Sequence, residues 1–210
     1  MYLPDQFRED RPEVLRSFIA RHPLGALVAA TAEGLVANHV PMMWLERAGA
    51  GLLGGHVAKA NPLWKLLAPD AQVLVIFSGA THYLTPSWYP AKQVDGKVVP
   101  TWNYSIVHAH GTIRFFEDRA QALHTVQSLT ERQEAPRAAP WAVADAPAEY
   151  VDAMLKRIVP FEIAVTRLQG KFKASQHRPE SERASVTAAL RAEGLSDAEI
   201  DELVRSPAKR

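Results

Sequence analysis

The chain has 210 residues, enough for one sizeable core, or one core with a small appendage. Its formal charge is only +1, so no whole-chain field draws it to nucleic acid or to an anionic membrane. The absence of cysteine excludes disulfides, iron–sulfur clusters, thiolate zinc sites and a cysteine nucleophile, and it permits a reducing cytosol.

Met1 to Glu9 reads as an extended lead-in, because Pro4 disfavours helix at Leu3. The opening MYLPDQFREDRP lacks the apolar stretch of a signal peptide, and no later segment has the length and apolarity of a membrane span. A cytoplasmic protein is expected. Asp10 with Glu13 makes a capping-box pattern, and Val14, Leu15, Phe18 and Ile19 form one apolar stripe. The spacing predicts a short helix from Arg11 to Arg21, ended by Pro23. Leu24 to Thr31 and Leu35 to Leu45 read as a strand hairpin turning at Glu33-Gly34, and Gly49 to Gly51 turns the chain into a third strand, Leu52 to Val57. Asn61 as N-cap and Pro62 as first helical residue open a helix. Gln72 to Ser78 is a continuous apolar run, which predicts a strand buried on both faces.

Asp95-Gly96 carries a hairpin signal, since a type I′ turn needs φ > 0 at both central residues. The arm after it, Thr101 to Phe116, alternates with period two. Trp102, Tyr104, Ile106, His108 and His110 share one face; Asn103, Ser105, Val107, Ala109 and Gly111 share the other. A large aromatic face backed by a small, partly polar one suits a sheet lying against a planar ligand or a second subunit. A half-buried barrel strand is the plainer alternative. Glu117 to Glu134 is helical, Ala135 to Pro147 a loop, and Val151, Met154, Leu155 and Ile158 a further helical stripe closed by Pro160. Phe161, Ile163 and Val165 alternate as a last strand running into Leu168 to Lys173. In the tail, Gly194 separates two helices and Ser196 with Glu199 forms a capping box. The expected fold is mainly β with helices (α+β): a single domain over 1–210, built as a barrel of six or seven antiparallel strands. Peripheral helices and a helical extension over about 180–210 complete it.

Three places concentrate chemistry. In GGHVAKANPLW, a strand through His56 leads past Lys59 to the helix opened by Asn61, so free N–H groups and a lysine meet near one point. That suits phosphate; a plain capped helix with a solvated lysine is the alternative. His108 and His110 stand i, i+2 on one face, a spacing metals use, yet no third ligand is supplied by the sequence and no metal site is expected. Lys171, Lys173, Gln176, His177 and Arg178 form a basic cluster. From Gly170 to Arg183 there are four lysines and arginines against two glutamates. This is enough for one phosphate or one partner loop and too little for a DNA-reading surface. No nucleophile elbow and no Walker-type or Rossmann-type glycine loop is present.

Taken in order, MYLPDQF, ANHVP, GGHVAKANPLW, YLTPSWYPAK, KVVPTWNYSIVHAHG, the QEAP and PW pair near 133–141, and LQGKFKASQHR resemble the PaiB-type family of FMN-binding negative transcriptional regulators. The matches cover about nine-tenths of the chain. It departs at His177, where the family more often has asparagine, and at Thr85, a usual serine. The resemblance implies a split β-barrel related to pyridoxamine-phosphate-oxidase-like flavoproteins, a homodimer with FMN at the subunit interface, and a bacterial cytoplasmic context. It places the FMN phosphate at His56, Val57, Ala58, Lys59 and Asn61 and the isoalloxazine over Asn38 and His39. Trp102, Asn103 and Tyr104 add packing or edge hydrogen bonds, with Lys171, Lys173 and Gln176 closing the site. It also implies a repressor, although no DNA-recognition element is visible. A flavin-dependent oxidoreductase acting on a small substrate is an alternative. A haem-binding split barrel using His108 or His110 is another.

Overall fold

The computed structural model describes residues 1–47 and 50–204. The turn expected at Gly49 and the last six positions of the C-terminal extension lie outside the described residues. Seven antiparallel strands are found there: β1 (Arg8–Glu9), β2 (Leu24–Thr31), β3 (Gly34–Arg47), β4 (Ala50–Ala58), β5 (Ala71–Leu84), β6 (Thr101–Phe115) and β7 (Ile158–Lys173). Their hydrogen-bonded order is β1-β7-β4-β3-β2-β5-β6, and β6 also pairs with β7, so six strands close on themselves as a barrel and β1 is added to β7. The helices are α1 (Pro12–Arg21), α2 (Leu63–Leu66), α3 (Ala91–Val94), α4 (Arg119–Glu134), α5 (Ala148–Leu155), α6 (Glu180–Ala192) and α7 (Asp197–Val204). The chain divides into two compact units.

One unit holds Met1–Phe18, Ser78–His108 and the chain from Leu168. β1 lies along β7 with Arg8 opposite Lys171 and Glu9 opposite Gly170. Phe18 of α1 packs on Phe172, ring centroids 5.3 Å apart. The two C-terminal helices bury Val186, Leu190, Ile200, Leu203 and Val204 against Leu84 and Tyr89. The capping box read at Ser196 is present: Ser196 N–H donates to Glu199 Oε2 at 2.8 Å, and Glu199 N–H donates back to Ser196 Oγ at 3.4 Å. The Asp95-Gly96 hairpin is corrected. Gly96, at φ +68°, ends the one-turn helix α3, its N–H and that of Asp95 both donating to Ala91 O at 3.1 Å. A helix C-terminus asks for the same left-handed residue as a type I′ turn, so the dipeptide alone could not separate them.

The other unit holds Ile19–Phe77 and Ala109–Arg167. Here β2 and β3 form the expected hairpin, with Thr31 opposite Gly34 and Leu24 opposite Pro41. β4 pairs with β3 on one side and β7 on the other, with His56 opposite Pro160. Pro160 therefore sits inside a strand and does not close a helix; α5 ends at Leu155. The buried carboxylate of Glu162 accepts from Arg47 Nη2 at 2.7 Å and from Gln121 Nε2 at 3.1 Å, which ties α4 to the sheet. One expectation for β5 fails: Val73, Val75 and Phe77 are buried, whereas Leu74 and Ile76 on the other face are only partly covered.

Candidate functional site

The candidate residues fall into two groups, one in each unit. The first is built around the end of β4. Gly55 and Val57 turn inward, so alternation sends His56 to the opposite face, beside Pro160 of β7. Burial holds its imidazole below the usual histidine range, and its Nδ1 is buried with no hydrogen-bond partner among the described residues. The chain then turns, Asn61 N–H donating to Ala58 O at 2.9 Å and the Trp64 indole donating to Lys59 O at 3.1 Å. Asn61 Oδ1 accepts from Leu63 N–H at 3.0 Å, while its Nδ2 donates to Asn38 Oδ1 at 2.7 Å. The side chain thus starts a helix as expected, although Pro62 occupies the N-cap position itself. With four residues, α2 contributes little dipole, so any anion affinity here rests on side chains. Lys59 is half-exposed, its Nζ 3.4 Å from Glu117 Oε2. Its pairing is loose, so the charge is available.

Asn38 and His39 are neighbours on β3 and so face opposite sides of the sheet. Asn38 joins the first group through Asn61. His39 is exposed beside Ala26 on the outer face. His110, on β6, holds its Nε2 3.2 Å from Arg167 Nη2. A guanidinium only donates, so Nε2 is the acceptor, and the lone pair a metal or haem iron would need there is already engaged. Among the described residues no three His, Asp or Glu side chains are grouped to hold a metal ion.

The second group surrounds the start of β6. The two faces read for this strand are real, and it is the small face that is buried, with Asn103, Ser105 and Val107 at most 3 % exposed, while Trp102 is 55 % exposed. Trp102 meets Tyr83 edge-on at 5.8 Å. Lys171 Nζ stands 5.4 Å from the ring centroids of both Tyr104 and Tyr2, a cation between two aromatic faces. Lys173 donates to Trp102 O at 2.8 Å and to Thr101 Oγ1; burial, with the Lys171 charge, holds its ammonium below the usual lysine range against a smaller opposing effect of Tyr104. Asn103 donates to Ser175 Oγ at 2.9 Å and Leu203 O at 2.8 Å, so both amide hydrogens are committed to the chain itself. Gln176 is committed likewise, to Gln6 O at 2.8 Å and Phe172 O at 2.7 Å, with its Oε1 accepting from Ala174 N–H at 2.9 Å. His177 meets Phe7 edge-on at 6.0 Å, and burial together with Arg178 and Lys173 lowers its affinity for protons.

The sequence reading missed Ser175, Gly79 and Glu202. Glu202 Oε2 accepts from Ala80 N–H at 3.0 Å, and a Cβ on Gly79 would stand 2.5 Å from that oxygen. No local pattern announces this contact, because its partners are more than a hundred residues apart.

The sequence pattern described as "Putative FMN-binding domain" matches residues 1–167. An uncharacterized protein of Emericella nidulans is 35% identical, over 89% of this chain and 88% of its own. The protease synthase and sporulation protein PAI 2 of Bacillus subtilis is 28% identical over 100% of this chain and 99% of its own. Among solved structures, the FAD and heme binding protein from Mycobacterium smegmatis superposes with a TM-score of 0.58 at 15% identity, covering 86% of this chain and 79% of the other. The flavocytochrome Anf3 from Azotobacter vinelandii gives 0.58 at 12%, covering 85% and 75%. At such identities these two speak for the split-barrel fold alone. The profile match over most of the length and the 35% relative decide the family: the chain belongs to the FMN-binding, PaiB-type split-barrel proteins, and its cofactor is FMN.

Proposed function

We propose that the chain is one protomer of a cytoplasmic FMN-binding homodimer with a role in negative transcriptional regulation. The regulatory part is supported by full-length similarity to a Bacillus subtilis protein named for protease synthase and sporulation. The relatives include fungal proteins, so a bacterial setting is not part of the proposal. Among the described residues no helix is long and apolar enough to cross a membrane.

The observation that carries the flavin reading is the orphaned Nδ1 of His56 in the same turn as Lys59 and the Asn61–Asn38 amide pair. A buried nitrogen without a partner costs about 1–3 kcal/mol, which a ligand can relieve. An imidazole, an ammonium and an amide are donors suited to a phosphate, so these residues fit the phosphate of FMN. In this reading His56, Lys59 and Asn61 hold the phosphate with the backbone of Val57 and Ala58, and Asn38 and His39 lie on the strand under the ring. Trp102, Tyr104, Lys171 and Lys173 contribute from the partner subunit. Asn103 and Gln176 support that second group from within the chain, without touching the flavin. FMN itself supplies the reversible two-electron chemistry of its ring.

Riboflavin, which has no phosphate, supplies the test. Lys59→Ala should weaken FMN binding about ten- to a hundredfold, the equivalent of a charge-assisted hydrogen bond, and leave riboflavin binding nearly unchanged. Equal losses for both ligands, measured by flavin fluorescence quenching, would remove Lys59 from the phosphate. If wild type binds neither flavin, the flavin reading of this turn fails altogether.

A further inference from the structure

We propose that Glu117 competes with the flavin phosphate for Lys59, so that the chain holds FMN as an exchangeable ligand and not as a permanently seated group. The inference rests on the flavin reading above and adds a residue to it. Among the side chains which that reading gives to the phosphate, Lys59 carries the full positive charge. Asn61 is neutral, and burial holds the His56 imidazole below the usual histidine range, so it is uncharged at neutral pH. The four residues of α2 add little dipole. Whatever engages Lys59 therefore sets most of the electrostatic grip on a dianion.

Glu117, in the link between β6 and α4, is what engages it. Its Oε2 lies 3.4 Å from Lys59 Nζ, and both side chains are about half-exposed. An ion pair so open to water is weak, so a phosphate can displace it. A carboxylate that stayed beside the ammonium would instead stand close to a second anion and repel it. FMN thus either breaks the pair or binds against the charge of Glu117, and both lower its affinity. The displaced carboxylate has room to move, because Glu117 lines an open cleft of about 350 Å³. Lys156 lines the same cleft and has no carboxylate partner among the described residues, so it can take up the released charge. The next residue, Asp118, is fixed as the N-cap of α4, accepting from Gln121 N–H at 2.8 Å, which confines the exchange to the Glu117 side chain. The opposite role for Glu117, holding Lys59 in place for the phosphate, predicts the opposite sign on its removal.

The experiment titrates FMN and riboflavin into full-length, flavin-free protein at low salt, read by fluorescence quenching. Glu117→Gln should bind FMN about three- to tenfold more tightly than wild type and bind riboflavin as before. Glu117→Asp, which keeps the charge, should stay close to wild type. The gain from Glu117→Gln should shrink in the Lys59→Ala background and at about 0.5 M salt. In the wild type, bound FMN should exchange with an excess of isotopically labelled FMN within minutes. Retention of the original FMN for hours overturns the proposal, and so does Glu117→Gln that leaves FMN binding unchanged. Weaker FMN binding by that variant overturns it too, and makes Glu117 a positioning residue for Lys59. Equal tightening of both flavins does the same, since the phosphate is then not involved. The flavin reading fails by a different result: a wild type that binds neither flavin, which takes this proposal with it. If Lys59→Ala loses FMN alone while Glu117→Gln is silent, only the competition falls.

Discussion

At the scale of single residues, Asn103 shows how a side chain in a conspicuous motif can act on its own chain. Its amide satisfies the Leu203 carbonyl in the last turn of α7, where a helix leaves carbonyls without intrahelical partners. Ser105 adds a long bond to Glu202 O at 3.4 Å. Asn103→Ala should cost about 2–3 kcal/mol, two hydrogen bonds with their buried acceptors, and should raise amide exchange in α7 before that of β2 or β3. Urea unfolding with residue-resolved hydrogen exchange would show it; uniform loss of protection across the chain would count against a local latch. His56 gives a second prediction, of pH dependence. Unfolded, it titrates at its ordinary value of 6.5; in the fold, burial depresses that value. Below pH 6.5 the unfolded chain takes up a proton that the native chain refuses, so stability is full above 6.5 and is lost as pH falls toward the depressed native value. The slope is limited to about 1.4 kcal/mol per pH unit, one proton's worth. In denaturation curves of flavin-free protein between about pH 7.5 and about pH 5.5, His56→Asn should flatten this component. An unchanged slope would place the titrating group elsewhere.

At the scale of elements, what was legible followed the range of the interactions that decide each one. The β2–β3 hairpin, the capping box at Ser196 and the alternation of β6 were readable because their causes lie within a few residues of one another. Which face of β6 is buried was not readable. Small polar residues there look like a surface for a ligand until Ser175 and Leu203, seventy-two and one hundred residues away, are known to satisfy Asn103. The phosphate turn was half legible: Asn61 does receive the N–H of Leu63, but Pro62 takes the N-cap position, and Pro69, which disfavours helix at Ala68, leaves room for only the four residues of α2. Element-level charge also bears on DNA. α7 presents Asp197, Glu199, Asp201 and Glu202 in eight residues, and α6 begins with Glu180 and Glu182. α7 would repel a duplex, while α6 carries as many arginines as glutamates and adds no net field, so direct binding should be weak, and any residual binding should fall steeply with salt. A nanomolar specific complex persisting at about 150 mM salt would reveal a reading surface that these helices do not provide.

At the scale of the whole molecule, the apolar run of β5 poses the remaining question. A strand apolar on both faces is normally covered on both. In the unit formed by Ile19–Phe77 and Ala109–Arg167, the inner face of β2 and β5 is covered, with Leu27, Val73, Val75 and Phe77 at 5 % exposure or less. The outer face is not: Val28, Leu74 and Ile76 remain partly open, and Leu35 is 80 % exposed on the adjoining strand. An open apolar sheet face is a surface that water disfavours by roughly 25 cal/mol per Å². A second copy meeting it about a two-fold axis would bury the same residues on both sides, and a standard interface needs about 800 Å² from each partner. The expected mass in solution is therefore twice the 23.2 kDa of the chain. Leu74→Lys places a charge on the outer face without touching the inner one, since alternate residues of a strand point to opposite sides. Light scattering of this variant should shift toward the single-chain mass while its circular dichroism stays that of the wild type. If FMN is held between subunits, the same variant should also lose flavin, by an amount that falls as protein concentration is raised. A wild-type protein that scatters as a single chain at micromolar concentration would rule the homodimer out. If that monomer still bound FMN, the flavin site would be complete within one chain.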